Sequence, residues 1–175
     1  ASGKKALILA PTMLAVTSLA NYFRKGLSAA RVCVFSSLLS ESDFYYGFQN
    51  VIAGDVDLVI TTLAGVFLPL SDIGLIIITD EDHHSYINQQ TPKYSALEVL
   101  KYRADYHRAK LVLATSAPSV VSYYRYHQAE YFLLELIKKE KRRFALVNAR
   151  EEPSDMLLTS ALRREVEAVW AAGKT

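Results

Sequence analysis

The sequence has a single cysteine and no long hydrophobic run, and each of these absences excludes a class of protein. Cys33 has no partner in the chain for a disulfide, and its apolar neighbours favour a small buried side chain over a nucleophile. No apolar stretch reaches the ~18 residues that a membrane-spanning helix requires, and the first residues lack the pattern of a signal peptide. The sequence therefore predicts a cytoplasmic protein with no membrane contact.

The chain also lacks an excess of either charge. It carries 20 Lys and Arg against 18 Asp and Glu among 175 residues, so any nucleic-acid-binding surface must be local. Hydrophobic residues make up 51% of the chain, which is enough for one compact core. The chain begins without a methionine and soon enters an apolar run, which indicates a piece excised from a longer protein.

Apolar runs alternate with helical patterns along most of the chain. Strands are predicted at residues 6–10, 31–35, 57–62, 75–79, 110–115, 131–137 and 144–149. Helices are predicted at 13–25, 118–128 and 160–172. Another is predicted between a Ser40 cap and Gly54, with Phe44, Phe48, Val51 and Ile52 on one face. A further helix is predicted from Ser95, which forms a capping box with Glu98. This alternation predicts an α/β fold with a three-layer αβα arrangement and a mainly parallel sheet.

The strand at 75–79 ends abruptly in the polar residues Asp80, Glu81, Asp82 and His83. The carboxyl ends of the strands are where open α/β sheets bind ligands. A Walker B element has this form, in which the first carboxylate holds Mg²⁺ and the second orients the attacking water. A polar loop that caps the next helix has the same form, and the spacing alone leaves both interpretations open.

The wider sequence around this strand resembles one helicase family. Residues 75–86, with the sequence LIIITDEDHHSY, are similar to the Asp-Glu-x-His motif and its Ser-Tyr extension in the PriA family of primosomal replication-restart helicases. These are superfamily 2 DNA helicases with a RecA-like fold, and other helicases of the superfamily lack that extension. The resemblance therefore favours the Walker B interpretation.

Further segments resemble motifs of that family in the same order along the chain. They are residues 9–12 for motif Ia, 35–40 for a stretch that usually carries a His-Ser pair, 59–67 for motif Ib, 92–96 for a Pro-Arg-Tyr-His-Ala loop, 114–119 for motif III and 146–153 for the crossing into the second lobe. The resemblance implies that residues 1–150 form a first RecA-like lobe and that 151–175 form a helix leading towards an absent second lobe.

The resemblance also implies roles for particular residues. Asp80 would hold Mg²⁺, Glu81 would polarise the attacking water, and His83 with the ATP-site residues Thr115 and Ser116 would transmit the state of the nucleotide. The residues implied in DNA binding are Pro11, Thr12, Ser36, Ser37, Thr62 and Lys93. The parent protein would use ATP and Mg²⁺ to translocate 3′ to 5′ on single-stranded or branched DNA, together with replication-restart and single-strand-binding proteins.

Some features of the family are missing from the sequence. The ATP-binding P-loop should lie upstream of motif Ia, and Gly3-Lys4-Lys5 leads into a strand and not into the helix that a P-loop opens. Leu63, Lys93 and Leu97 stand where relatives carry arginine, and the hydroxyls of Thr115-Ser116-Ala117 are shifted by one position in motif III. We therefore expect no appreciable ATP hydrolysis by this chain alone.

Two other functions deserve comparison with a helicase lobe. The lost arginines favour a catalytically silent module, derived from a helicase, that binds DNA or docks a protein. A two-metal nuclease would need Asp55, Asp57 and Asp72 to converge on residues 80–82. Those three residues precede predicted strands, which places them at the opposite edge of the sheet.

The remaining histidine, aromatic and basic clusters of the sequence are better explained by folding than by binding or catalysis. The four histidines and Cys33 match no spacing of a closed zinc site. The aromatic run at 123–127 could stack on bases, but adjacent helical positions point in different directions, which favours a mixture of core and surface. The basic run at 138–143 is typical of a solvated turn, with a phosphate-binding patch as the alternative.

Overall fold

The computed structural model describes residues 3–27, 29–136 and 160–171. The predicted strand at 144–149 and the basic run at 138–143 lie outside these residues. The chain falls into two compact units, one ending at Phe132 and the other beginning at Leu133. Within the described residues, none of the helices combines the length and the apolar character that crossing a membrane would require.

A five-stranded parallel sheet lies at the centre of the first unit. The strands of the chain are β1 (Lys5–Leu9), β2 (Val32–Phe35), β3 (Leu58–Thr61), β4 (Ile73–Thr79), β5 (Ile87–Asn88), β6 (Tyr94–Ser95) and β7 (Lys110–Ala114). The sheet has the order β2-β3-β1-β4-β7, and β5 pairs with β6 as a separate antiparallel ribbon. The parallel sheet that the apolar runs predicted is confirmed.

Helices cover both faces of this sheet. They are α1 (Met13–Gly26), α2 (Glu41–Ala53), α3 (Ala96–His107) and α4 (Val120–His127) in the first unit, and α5 (Ser160–Ala171) in the second. Val16 and Ala20 of α1 pack with Ile8 on one face, whereas Leu100 of α3 packs with Leu7 on the other. Successive strand residues thus point to opposite layers, and the expected RecA-like, three-layer αβα arrangement is confirmed.

Local sequence signals explain where α2 begins and ends. The hydroxyl of Ser40 accepts a hydrogen bond from the backbone N–H of Asp43 at 3.2 Å, and Gly54 closes the helix at a φ of 79°. Val51 is buried as predicted, but Ile52 is 56% exposed, because it lies one helical position away from the inward face.

Three details of the sequence prediction are wrong. Ser95 stands at the N-cap of α3 but makes no capping hydrogen bond with its side chain, and Glu98 instead pairs with Lys101 at 3.0 Å. The helix predicted from Pro118 begins two residues later, at Val120. Residues 131–136 form no strand, because they find no neighbouring strand with which to pair among the described residues.

The connection from β3 to β4 is held close to the sheet by two contacts. A short 3₁₀ turn, Leu63–Gly65, follows β3, and Gly65 lies directly against the side chain of Thr61. Farther along, the half-buried guanidinium of Arg103 in α3 donates hydrogen bonds to the carbonyl oxygens of Val66 and Leu68, the latter at 2.8 Å. The connection from β3 to β4 therefore has a fixed path.

The sheet contains a topological switch between β1 and β4. These strands are neighbours, but the chain leaves β1 for α1 on one face and leaves β4 for α3 on the opposite face. Such a divergence opens a crevice at the carboxyl ends of the two strands, where ligands of open α/β sheets bind.

Gly65→Ala is expected to destabilise the protein by about 1–3 kcal/mol, because the packed turn cannot accept a methyl group. A Cβ at this position would lie 2.7 Å from the Cβ of Thr61. Gly26→Ala is the matched control, since its added Cβ would meet nothing within 4 Å. Urea unfolding of the two variants should show a lowered midpoint for Gly65→Ala only, and equal midpoints would contradict the packing described.

Candidate functional site

The carboxylates predicted to bind Mg²⁺ and water lie immediately after β4. Asp80 is exposed and has a φ of 48°, and its backbone N–H donates to the carbonyl oxygen of Ala114 at 2.6 Å. This left-handed residue turns the chain away from the sheet while the hydrogen bond keeps it beside β7. Asp80 therefore presents its carboxylate at the carboxyl edge of the sheet.

Glu81 differs from its neighbours because it is buried, with 5% of its surface exposed. Its Oε1 accepts a hydrogen bond from the backbone N–H of Ser119 at 2.7 Å, and its Oε2 accepts one from the Ser119 hydroxyl at 3.3 Å. A buried carboxylate requires such donors, and the N-terminus of α4 also provides a favourable dipole. Glu81 is thus held in a defined position.

His83 connects the acidic motif to the loop that follows β1. The backbone N–H of Ser85 donates to Nδ1 of His83 at 3.2 Å, which makes Nδ1 the acceptor and assigns the proton to Nε2. The Ser85 hydroxyl donates its one proton to the carbonyl oxygen of Pro11 at 3.1 Å, so Ser85 joins the two through its backbone N–H on one side and its hydroxyl on the other. A hydrogen-bonded path therefore runs from His83 to Pro11.

Tyr86 fills the crevice between β1 and β4. Its hydroxyl donates to the carbonyl oxygen of Thr79 at 2.6 Å and lies 3.3 Å from that of Leu9, so it joins the last residues of the two strands. The side chain is only 3% exposed, and burial raises the pKa of its phenol. The hydroxyl therefore stays protonated and remains a donor.

A cleft of about 400 Å³ lies beside this crevice. Its walls bring together residues from the ends of β1, β2 and β3 that were predicted to bind DNA, namely Pro11, Thr12, Ser36, Ser37 and Thr62. Leu63 and Ser85 also line it, and among the described residues no charged side chain does. Lys93 lies outside the cleft, exposed in the segment between β5 and β6.

The predicted motif III residues Thr115 and Ser116 lie in the loop between β7 and α4. The Thr115 hydroxyl donates to the carbonyl oxygen of Ala117 at 2.7 Å and accepts from its N–H at 3.3 Å, so it stabilises its own loop. Ser116 is exposed. The hydroxyl that contacts Glu81 belongs to Ser119, which lies in the predicted motif III segment 114–119 but was not predicted as a site residue, although it could have been found as the N-cap of α4.

The described residues bring no three His, Cys, Asp or Glu side chains together as a metal site. Asp80 could hold Mg²⁺ with water and phosphate oxygens as the remaining ligands, which is the usual mode for nucleotide-bound Mg²⁺. Cys33 is half-buried, and burial raises the pKa of its thiol, which disfavours the nucleophilic thiolate.

Comparisons with known proteins identify relatives for most of the chain. It is 33% identical over 156 residues to the replication restart protein PriA of Bacillus subtilis (strain 168), covering 87% of this chain and 19% of that protein. The chain is a PriA homologue. PriA of a Synechocystis species is 33% identical over 128 residues, which are 72% of this chain and 15% of that protein.

PriA of Helicobacter pylori (strain J99) is 30% identical over 70% of this chain and 20% of that protein. The chain thus spans 15–20% of the length of these three relatives. No protein-family model matches it. Among solved structures, the helicase domain of Pyrococcus furiosus Hef is similar over 70% of this chain and 24% of that chain, with a TM-score of 0.46 and 14% identity.

Tyr86→Phe is expected to lower the free energy of unfolding by about 1–2 kcal/mol, because the buried carbonyl of Thr79 loses its hydrogen bond to the phenol. Tyr124→Phe removes a hydroxyl from a side chain that is 62% exposed and is expected to change stability little. Urea unfolding measures both variants, and an unchanged midpoint for Tyr86→Phe would show that its hydroxyl does not join the strands.

Proposed function

We propose that this chain is the first motor lobe of an ATP-dependent DNA helicase of the PriA type that acts in replication restart. The observation that carries the proposal is the path from the acidic motif to the loop after β1. His83, two residues after Glu81, lies at one end of this path, and Pro11, which lines the cleft, lies at the other. A motor lobe needs such a path, because nucleotide state must alter the grip on DNA.

On the nucleotide side, the proposal assigns different tasks to the two carboxylates. Asp80, which is exposed, would hold Mg²⁺, and that ion would neutralise the phosphates of a bound ATP. Glu81, which is held by Ser119, would polarise the attacking water through its carboxylate. His83 would respond to changes at this edge and pass them to Ser85.

On the DNA side, the proposal assigns the cleft to the backbone of a single strand. Thr12 and Ser37 offer exposed hydroxyls that can donate to phosphate oxygens, whereas Ser36 is fully buried and accepts hydrogen bonds from the Leu38 N–H and the Thr62 hydroxyl. Its lining, within the part of the chain that the structure describes, includes no cation, so we expect weak binding with little dependence on salt. Lys93 is not among the lining residues, and its proposed DNA contact would be a separate one.

The isolated chain is proposed not to hydrolyse ATP. Gly3-Lys4-Lys5 leads directly into β1, so it does not present the helix N-terminus that cradles phosphates in a P-loop. The β- and γ-phosphates of ATP would need a cradle from sequence outside this chain. Replication-restart proteins, single-strand-binding proteins and branched DNA inside the cell are the partners proposed for the complete motor.

A catalytically silent DNA-binding or docking module is the second candidate. The observation that favours it is the position of Leu63, which lines the cleft where the family carries arginine. An apolar side chain there cannot contact a phosphate. The two candidates differ in whether Glu81 is required for ATP hydrolysis.

Glu81→Gln in the full-length gene product is expected to lower DNA-stimulated kcat by at least about a hundredfold and to preserve ATP binding, since an amide cannot polarise water. Asp105→Asn, an exposed change at the end of α3, is the control and should retain wild-type kcat. Steady-state ATPase assays and equilibrium nucleotide binding measure both. Glu81-independent hydrolysis would refute the motor proposal, and an inactive wild type that binds DNA would favour the silent module.

Leu63→Arg is expected to tighten binding of the chain to short single-stranded DNA, because one phosphate contact is gained. The slope of log K against log salt concentration should become steeper by about 0.7. Tyr102→Arg adds the same charge on α3 at a side chain that is 74% exposed. Fluorescence anisotropy titrations should show the steeper slope for Leu63→Arg alone. Equal slopes for the two variants would contradict DNA binding in the cleft.

A further inference from the structure

We propose that Ser119 is the positioning residue for Glu81, and that through it the orientation of α4 controls where the Glu81 carboxylate points. This inference rests on the proposed ATPase function and adds to it a residue outside the acidic motif. Ser119 lies 38 residues along the chain from Glu81 and contacts both of its carboxylate oxygens. Two donors from one residue fix the plane of the carboxylate as well as its position.

The two hydrogen bonds have different origins. The 2.7 Å bond comes from the backbone N–H and is present with any residue other than proline at this position. The 3.3 Å bond comes from the hydroxyl, so a substitution of Ser119 can remove it. Removal of the hydroxyl would leave Oε2 of a carboxylate that is 5% exposed with one donor fewer, and the carboxylate could then turn about the remaining bond.

The same hydroxyl also begins α4. It accepts a hydrogen bond from the backbone N–H of Ser122 at 3.1 Å while donating to Glu81. A displacement of the first turn of α4 would therefore move the donor of Glu81 with it. The other end of α4 is anchored, because Arg125 donates to the Tyr131 hydroxyl at 3.2 Å and lies 3.7 Å from the carboxylate of Glu98 in α3.

Ser40 provides an internal comparison within this chain. Its hydroxyl caps α2 at 3.2 Å, closely matching the distance at Ser119, but it bonds to Asp43 at 2.6 Å and not to a residue of the acidic motif. The capping role alone is therefore common to both serines. Only Ser119 combines a cap with a contact to Glu81.

The experiment measures ATP hydrolysis and thermal unfolding of the full-length gene product in four serine variants. Ser119→Ala removes the cap and the Glu81 contact, Ser119→Asp keeps a capping oxygen but repels the Glu81 carboxylate, and Ser119→Thr keeps both functions. Ser40→Ala removes a cap and a hydrogen bond to the Asp43 carboxylate, but no contact to Glu81. We expect kcat to fall about tenfold or more in Ser119→Ala and Ser119→Asp, with KM for ATP within about twofold of wild type, and Ser119→Thr to restore most of it.

Ser40→Ala should lower the unfolding temperature about as much as Ser119→Ala and leave kcat unchanged. If Ser119→Asp hydrolyses ATP as fast as Ser119→Thr, Ser119 is only a helix cap and the inference is overturned. The inference also falls if Ser119→Ala keeps the wild-type kcat while Glu81→Gln abolishes it. If Glu81→Gln still hydrolyses ATP, that result instead contradicts the proposed function on which the inference rests.

Discussion

The hydrogen bond from the Tyr86 hydroxyl to the end of β4 is the interaction on which the candidate site depends. Tyr86 occupies the crevice between β1 and β4, where the chain diverges to opposite faces of the sheet. The Thr79 hydroxyl adds a second side-chain link between the strand ends, since it donates to the carbonyl oxygen of Leu9 at 3.3 Å. Tyr86 thereby converts two neighbouring strand ends into one unit, with the acidic motif on one strand and the Pro11 loop on the other.

This unit explains why the Ser-Tyr extension accompanies the acidic motif in the sequence. Tyr86 fixes the distance between the strand ends, and Ser85 adds a polar contact from His83 to the loop after β1. Tyr86 thus holds the two strand ends together, whereas Ser85 links His83 to the loop after β1. A change in the His83 environment would reach Pro11 through two hydrogen bonds, which is short enough for the nucleotide and DNA sides to influence each other.

The sequence predicted those features that local patterns encode. Apolar runs gave the sheet, the Ser40 and Gly54 signals gave the ends of α2, and the abrupt end of β4 gave the position of Asp80. Long-range contacts were not predictable in this way. The contact of Ser119 was missed because its partner lies 38 residues away, and the pairing of Glu98 with Lys101 was not foreseen by the capping-box pattern.

We propose that this chain couples a nucleotide site to a DNA site, and the most direct test is the effect of nucleotide on DNA affinity. The measurement is the Kd of the full-length gene product for single-stranded DNA, with and without Mg²⁺ and a non-hydrolysable ATP analogue. The account predicts a change of about fivefold or more in wild type, which Ser85→Ala reduces. An affinity that is the same with and without nucleotide would contradict it.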